Sequence, residues 1–205
     1  MAEGFLIIFT IAIYGVIHSL LASLEAKGLA RGWFGSSADR WYRLAYNLFA
    51  TFSFLPVIML VLLIPDRQLY TIPFPWIILS MAIQFLVVVG IIVGIRQTGV
   101  WPFTGLEQLI NPHKDASTPL VTTGLYRYVR HPLYTAGLLL IWFTPLMTLN
   151  LLFATLGLTL YLLIGAYFEE RKLLREFGDI YADYRRRTPM LIPGFHFCSK
   201  QGLQR

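Results

Sequence analysis

An arginine and a histidine that open one apolar run, and two glutamates that close the next, are the residues of this chain best placed to do chemistry. Arg130 and His131 stand before Pro132 in the stretch TPLVTTGLYRYVRHPLYTAG, residues 118–137. Proline fits the first turn of a helix, where its missing N–H costs nothing. The pair therefore sits at a helix start, whose free N–H groups and positive dipole end can hold a carboxylate or phosphate. Glu169 and Glu170 head the stretch FEERKLLREFGDIYADYRRRTPMLIP, residues 168–193. Carboxylates at the end of an apolar run are costly against lipid, so they must face protein, water or a ligand. Two readings compete for this group: a site for a small charged molecule, or an interhelical salt bridge with Arg130 as a headgroup anchor and His131 as an interfacial bystander. The residue types alone leave that choice even.

The elements that must position these residues are membrane helices. The chain has 205 residues, is 56% hydrophobic and only 14% charged, and has a mean hydropathy of +0.60, which is too apolar for a soluble domain of this length. Five apolar runs of bilayer-crossing character appear, at residues 5–24, 44–64, 76–95, 133–147 and 151–168. Only Thr148, Leu149 and Asn150 separate the last two, which predicts a tight antiparallel hairpin. The start of one and the end of the other then share a membrane edge, making neighbours of Arg130, His131, Glu169 and Glu170. The expected fold is all-α and polytopic: a single domain over residues 1–205, with three N-terminal spans in 1–95, a catalytic region in 96–193, and a helical C-terminal tail.

Basic residues gather in three segments: Lys27, Arg31, Arg40 and Arg43; Arg96, Lys114, Arg127 and Arg130; and residues 171–187. The net charge of +6 follows these span ends rather than an aromatic-interleaved soluble face, so membrane topology and not nucleic acid accounts for it. Five spans place the N-terminus outside and the tail in the cytosol. The N-terminal run lacks a basic lead and is longer than a signal-peptide core, so it reads as a retained helix; a prokaryotic inner membrane is expected. A single cysteine, Cys198, excludes an intrachain disulfide and a cysteine metal cage, and no metal site is expected. The linker at residues 64–75, with Pro65, Pro73 and Pro75, reads as a short external loop. Residues 96–130 form a longer loop of the kind that carries function.

RHPLYTAG followed, across one apolar hairpin, by EERKLLREFGDIYADYRRRTPMLIP resembles the isoprenylcysteine carboxyl methyltransferase and phospholipid methyltransferase superfamily. The resemblance covers residues 120–193, and the order and spacing of the two motifs make it specific. It implies a membrane-embedded methyltransferase that uses S-adenosyl-L-methionine at the cytosolic face. Carried over by position, the cofactor-binding residues are Leu120, Val121, Tyr126, His131, Pro132, Leu133, Tyr134 and Glu169, with Arg130, His131 and Glu170 as catalytic candidates. Leu120, Val121 and Tyr126 would wall the adenine, and the helix start at His131–Tyr134 would offer backbone donors to the carboxylate. No glycine-rich strand-to-helix turn appears, so the soluble nucleotide-binding fold is not expected.

Where prenylcysteine enzymes of the superfamily carry an arginine about one turn before the glutamate pair, this chain has Gly165 and Ala166. A smaller or less charged acceptor, a thiol or a lipid-like molecule, is implied. GVIHSLLAS at residues 15–23 and WYRLAYNLFA at 41–50 resemble the NnrU-like proteins and methanethiol S-methyltransferases, as does RRRTPMLIP in the tail. Within the first run, His18 lies at membrane depth, where a histidine is a candidate functional group, or else a packing hydrogen-bond partner beside Ser19 and Ser23. The NnrU resemblance supplies the alternative function: a haem or redox protein ligated by His18 with His113 or His131.

Overall fold

The computed structural model describes residues 2–110 and 120–194. Thr118, Pro119, His113, Lys114 and Cys198, all singled out above, lie outside the described residues.

Four helical stretches among the described residues are long and apolar enough to cross a membrane. The first is α1 (Ala2–Ala22); the second is α3 (Ser37–Ser53) continued by α4 (Leu55–Leu63). The third is α5 (Trp76–Thr98), and the fourth is the apolar first part of the 39-residue α9 (Leu149–Arg187). Their large side chains point outward: Phe9, Leu62 and Phe85 are 62%, 73% and 68% exposed, an apolar surface that only lipid can cover without cost. The protein is an integral membrane protein. Between α3 and α4, Pro56 occupies the first turn of α4 and removes an N–H from the ladder, which breaks the helix at Phe54.

The buried centre is small. Ile7, Ile11, Val57 and Ala154 form it, with Phe54, Phe153, Leu158 and Tyr161 packed around. Helix α1 lies parallel to α9 at close range. A Cβ on Gly15 would come within 2.8 Å of Tyr161, and one on Gly157 within 2.9 Å of Ile11. Close backbone approach through small residues is how helices associate where lipid supplies no hydrophobic drive. Because the two helices run the same way, the end of α1 and the Glu169–Glu170 pair lie at one face of the bundle. That face also carries α2 (Leu24–Phe34), begun by Ser23, whose hydroxyl caps Ala26 N at 3.1 Å. No residue of α2 is buried, and Lys27 feels Lys172, Arg43 and Glu176 across the same edge.

The fourth expected span departs from expectation. Helix α8 (Pro132–Trp142) has 11 residues, about 16 Å at 1.5 Å per residue, against a hydrocarbon core of about 30 Å. Beyond it the chain goes extended. Strand β2 (Leu146–Thr148) pairs antiparallel with β1 (Gln68–Thr71), so the linker read as a free loop is a sheet edge and the turn is not confined to residues 148–150. Asn150, read there as a turn residue, is buried in α9 and donates to Ile64 O at 3.1 Å. α8 runs antiparallel along α5: Ser80 Oγ donates to Phe143 O at 2.6 Å, and Gln84 Nε2 to Leu140 O at 3.3 Å. The 96–130 segment likewise contains structure, two short helices α6 (Val100–Thr104) and α7 (Leu106–Ile110) and a 3-10 turn at Gly124–Arg127.

Candidate functional site

The N-terminus of α8, the exit of α9 and the end of the α9 tail converge at one point. Arg130 is locked from two sides. Its Nε and Nη2 donate to the two oxygens of Glu170 at 2.8 and 2.9 Å, and Nη1 donates to the carbonyls of Arg185, at 3.0 Å, and Thr188. The backbone joins in: Arg130 N donates to Pro189 O at 2.9 Å, His131 N to Met190 O at 3.1 Å, and Thr135 Oγ1 to Leu191 O at 2.7 Å. The segment TPML, already part of the quoted tail motif, thus seats itself on the start of α8.

Glu170 collects donors. Besides Arg130, it accepts from His131 Nε2 at 2.9 Å and from the Tyr181 hydroxyl at 2.6 Å, with Arg185 Nε at 3.5 Å. A carboxylate accepts only, so the His131 proton here is on Nε2. Burial alone would raise the Glu170 pKa, but the bonds from His131, Arg130 and Tyr181 outweigh it and bring it from 4.5 down to about 2. Arg130, His131 and Glu170 side chains are 8%, 5% and 8% exposed. A desolvated ion pair of this kind holds only because its hydrogen bonds are complete.

The neighbouring glutamate is in a different position. Glu169 keeps 43% of its side chain exposed, 3.7 Å from His131 Nδ1, and faces the hydroxyl of Tyr134. Tyr134 stacks on His131 with ring centroids 5.4 Å apart. Burial, reinforced by the nearby Glu169, pushes the Tyr126 hydroxyl up to about 12. Glu170 thus makes the buried salt bridge with Arg130, whereas Glu169 stands half-exposed beside His131 and Tyr134.

The remaining candidates fall into place unevenly. Pro132 is buried at the first turn of α8. The Leu133 side chain packs toward Gly94 of α5, so only its backbone N–H is available at the helix start. Leu120 and Val121 are half-buried where the described chain resumes. Gly124, at φ 63°, lets the 3-10 turn lie against Gln97, whose Oε1 accepts from Leu125 N at 3.1 Å.

Two supports were not anticipated. Tyr181 reaches Glu170 because Gly178, at φ 53° and ψ −128°, breaks α9 and turns the tail back. Tyr184 then donates to Tyr126 O at 2.5 Å, tying the tail to the loop before α8. The signal for both was a lone glycine inside a charged, helix-forming stretch followed by two tyrosines three apart.

Away from this face, His18 is enclosed by tyrosines. Its Nε2 is 2.6 Å from the Tyr46 hydroxyl and its Nδ1 2.8 Å from that of Tyr161.

Comparison with known proteins gives this arrangement a family. The sequence matches the phospholipid methyltransferase family over residues 76–180, a stretch that holds Arg130, His131, Glu169 and Glu170. Among curated proteins, it is 47% identical to methanethiol S-methyltransferase 2 of Bradyrhizobium diazoefficiens over 100 residues, 49% of this chain and 36% of that protein. It is likewise 47% identical to the methanethiol S-methyltransferase of Mycobacterium tuberculosis over 72 residues, 35% of this chain and 30% of the relative. A third, from Crocosphaera subtropica, is 47% identical over 79 residues, 37% and 31% of the two chains. The matched stretches thus span about a third of the relatives' length. No solved structure matches. With more than half of its length matched to the family, and the motif residues gathered at one face of the bundle, the chain belongs to the phospholipid methyltransferase family, in the superfamily of membrane methyltransferases that also holds the isoprenylcysteine carboxyl methyltransferases.

Proposed function

We propose that this protein is a membrane methyltransferase that takes its methyl group from S-adenosyl-L-methionine and passes it to a small thiol. The observation that carries the reading is the division of labour between Glu170, saturated and buried, and Glu169, half-exposed beside a helix N-terminus. The residues fit the cofactor's chemistry. First-turn N–H groups of Leu133 and Tyr134 have no carbonyl four residues back and suit a carboxylate. Glu169 suits an ammonium or a ribose hydroxyl, and Tyr126 with Leu120 and Val121 can wall an adenine.

When bound, the cofactor supplies a methyl on a cationic sulfur, an electrophile that needs no further activation. The protein's part is to hold, align and exclude water. Arg130 and Glu170 fix the angle between α8 and α9. His131, held by Glu170, stacks on Tyr134 and so fixes the ring whose hydroxyl faces Glu169. A carboxylate held near pKa 2 is a weak base, so Glu170 acts as an anchor rather than as a proton acceptor. The names of the relatives and the lack of a cation at Gly165 and Ala166 support a small thiol over a prenylcysteine carboxylate. The basic segments gathered at the site's face support a cytosolic location for it, with the N-terminus outside. One domain over the whole chain, with the cofactor region in 96–193, completes the reading.

The haem alternative is not favoured. Both ring nitrogens of His18 face tyrosine hydroxyls and His131 Nε2 faces Glu170, while His113 lies outside the described residues.

The test is calorimetry of S-adenosylmethionine and S-adenosylhomocysteine on detergent-purified protein, with His131→Ala and Glu169→Ala alongside. Saturable binding to the wild type, weakened at least about tenfold in Glu169→Ala, corresponding to about 1.4 kcal/mol, is the expected result. A folded wild type that binds neither compound overturns the reading.

A further inference from the structure

Helix α2 stands without the support that a helix of its length needs. It has 11 residues, and isolated helices shorter than about 12–15 residues are marginal in water. Gly28 and Gly32 weaken it further, since glycine is the poorest helix former after proline. No residue of α2 is buried, so packing against the bundle does not make up the difference. What α2 has instead is pattern. Ala26, Leu29, Ala30 and Trp33 recur at i, i+3, i+4 and i+7, the spacing of one apolar helical face. On that face Leu29 and Trp33 are 62% and 80% exposed. Gly28 and Gly32 stand on the other side, where an added Cβ would meet nothing within 4 Å.

The neighbours of α2 fix its depth. Helix α1 has 21 residues, about 31 Å at 1.5 Å per residue, which matches the hydrocarbon core and puts Ala22 at the headgroups. Ser23 then takes an extended backbone, φ −69° and ψ 157°, so α2 leaves the axis of α1 instead of prolonging it. The return crossing starts with α3 at Ser37. Arg31 Nη2 donates to Asp39 Oδ2 at 2.7 Å, which clips α2 to the first turn of α3. A helix tied at both ends to span termini on one face of the bundle is held in the headgroup layer. Aromatic side chains mark that layer: Trp33 and Phe34 close α2, Trp41 lies near the start of α3, and all three are exposed.

The charges of this segment do not balance. Residues 24–43 hold four cations, Lys27, Arg31, Arg40 and Arg43, against two carboxylates, Glu25 and Asp39. Arg31 and Asp39 neutralise each other. The side chains of Lys27, Arg40 and Arg43 are exposed and have no ion-pair or hydrogen-bond partner among the described residues. Lys27 lies one turn before Arg31 and Arg40 adjoins Asp39, so the surplus positive charge flanks the seam between α2 and α3.

We propose that α2 and the start of α3 form a docking surface for acidic lipid in the leaflet at this face of the bundle. Helix α2 lies flat in the headgroup layer, Leu29 and Trp33 point toward the acyl chains, and Lys27, Arg40 and Arg43 meet the headgroup phosphates. The proposal goes beyond the methyltransferase reading and does not depend on it. Continuity selects the bilayer as occupant: Leu20 on α1 and Leu24 on α2 are both exposed, so the lipid-covered surface of the span runs on into α2. Charge selects the kind of lipid, because amphipathic helices with basic flanks bind anionic headgroups in this way.

Placement is tested with single nitroxide labels at Gly28→Cys, Leu29→Cys, Gly32→Cys and Trp33→Cys, each in a Cys198→Ser background. The full chain is reconstituted in vesicles of phosphatidylcholine with about 30% phosphatidylglycerol. Labels at 29 and 33 should relax with oxygen, which partitions into acyl chains, and labels at 28 and 32 with a water-soluble nickel chelate. Nickel access at all four positions puts α2 in water, and shielding of 29 and 33 from both reagents shows a second copy or another protein on the face; either result overturns the proposal. The lipid's charge is tested by native mass spectrometry of delipidated protein titrated with phosphatidylglycerol and with phosphatidylcholine. The first equivalent of phosphatidylglycerol should bind more tightly, and Lys27→Gln and Arg40→Gln should each cut that preference about fivefold. A thermal scan checks that each variant is folded. An unchanged preference in folded variants overturns the role of the cations.

Discussion

Tyr181 donates a 2.6 Å hydrogen bond to Glu170 although the two are separated by 11 positions in what is nominally one helix. In a straight helix they would stand on the same face about 16 Å apart. The bond exists because Gly178 takes a backbone conformation closed to other residues, which folds the tail over the ion pair. A Cβ at Gly178 would meet nothing within 4 Å, so the cost of Gly178→Ala is purely conformational, about 1–3 kcal/mol. The expected outcome is a lower thermal midpoint together with weaker S-adenosylhomocysteine affinity. Unchanged affinity in the destabilised variant would show that the tail does not shape the site.

Stability should fall in acid through Glu170. Its folded pKa, about 2 against an ordinary 4.5, is depressed, so its contribution is fully present above 4.5 and is lost as pH falls toward 2. Glu170→Gln removes this dependence and leaves Arg130 buried without its counter-charge, at a cost of about 3–5 kcal/mol. Chemical unfolding of both proteins between pH 3 and pH 7 checks the prediction: the gap between them should narrow on the acid side.

Arg130→Lys is not a mild change. One ammonium cannot span both Glu170 oxygens and also reach the carbonyls of Arg185 and Thr188. Loss of about 2 kcal/mol of stability is expected, since bonds to charged groups contribute about 1.5–3 kcal/mol each. Limited proteolysis should show earlier release of residues 188–194, which Arg130 and its neighbours hold.

At the opposite face, Asn150 donates to the carbonyls of Ile64 and Pro65 and its own N–H meets Asp66. Asn150→Ala removes both side-chain bonds to these part-buried carbonyls and should cost about 1 kcal/mol, yet cofactor affinity should be unchanged. A fall in affinity comparable to that of Glu169→Ala would mean that the two faces of the bundle are coupled.

Much of this was written plainly in the sequence, and the parts that were not share a cause. Arg130, His131, Glu169 and Glu170 were legible as neighbours because one consideration, that consecutive apolar runs return to the same edge, fixes the start of one and the end of the next. The long apolar helices followed from the lack of water in a bilayer, which leaves the backbone few choices. Tyr181 was hidden because its place depends on the sign of φ at Gly178, a conformation that a glycine permits but does not announce. Residues 146 and 147 were read as the end of a span and Thr148 as part of a turn because Leu and Met suit a buried strand as well as a span; only pairing with residues 68–71 decides. α2 went unrecognised within a basic segment because its apolar side chains, such as Leu29 and Trp33, alternate with the charges that defined the segment. For His18, the decisive partners Tyr46 and Tyr161 stand 28 and 143 positions away, beyond the reach of local pattern.

The parallel contact of α1 with α9 has a consequence for assembly. The first helix leaves the ribosome long before its partner exists: at about 5–20 residues per second, the chain between them takes on the order of ten seconds or more to make. Through that interval Gly4 and Gly15 present a groove, and His18 a polar ring, to lipid or to whatever accompanies the nascent chain. The bundle closes only when the last helix arrives, so a ribosome stalled anywhere before Tyr161 leaves behind an inserted but open protein, an early target for membrane quality control.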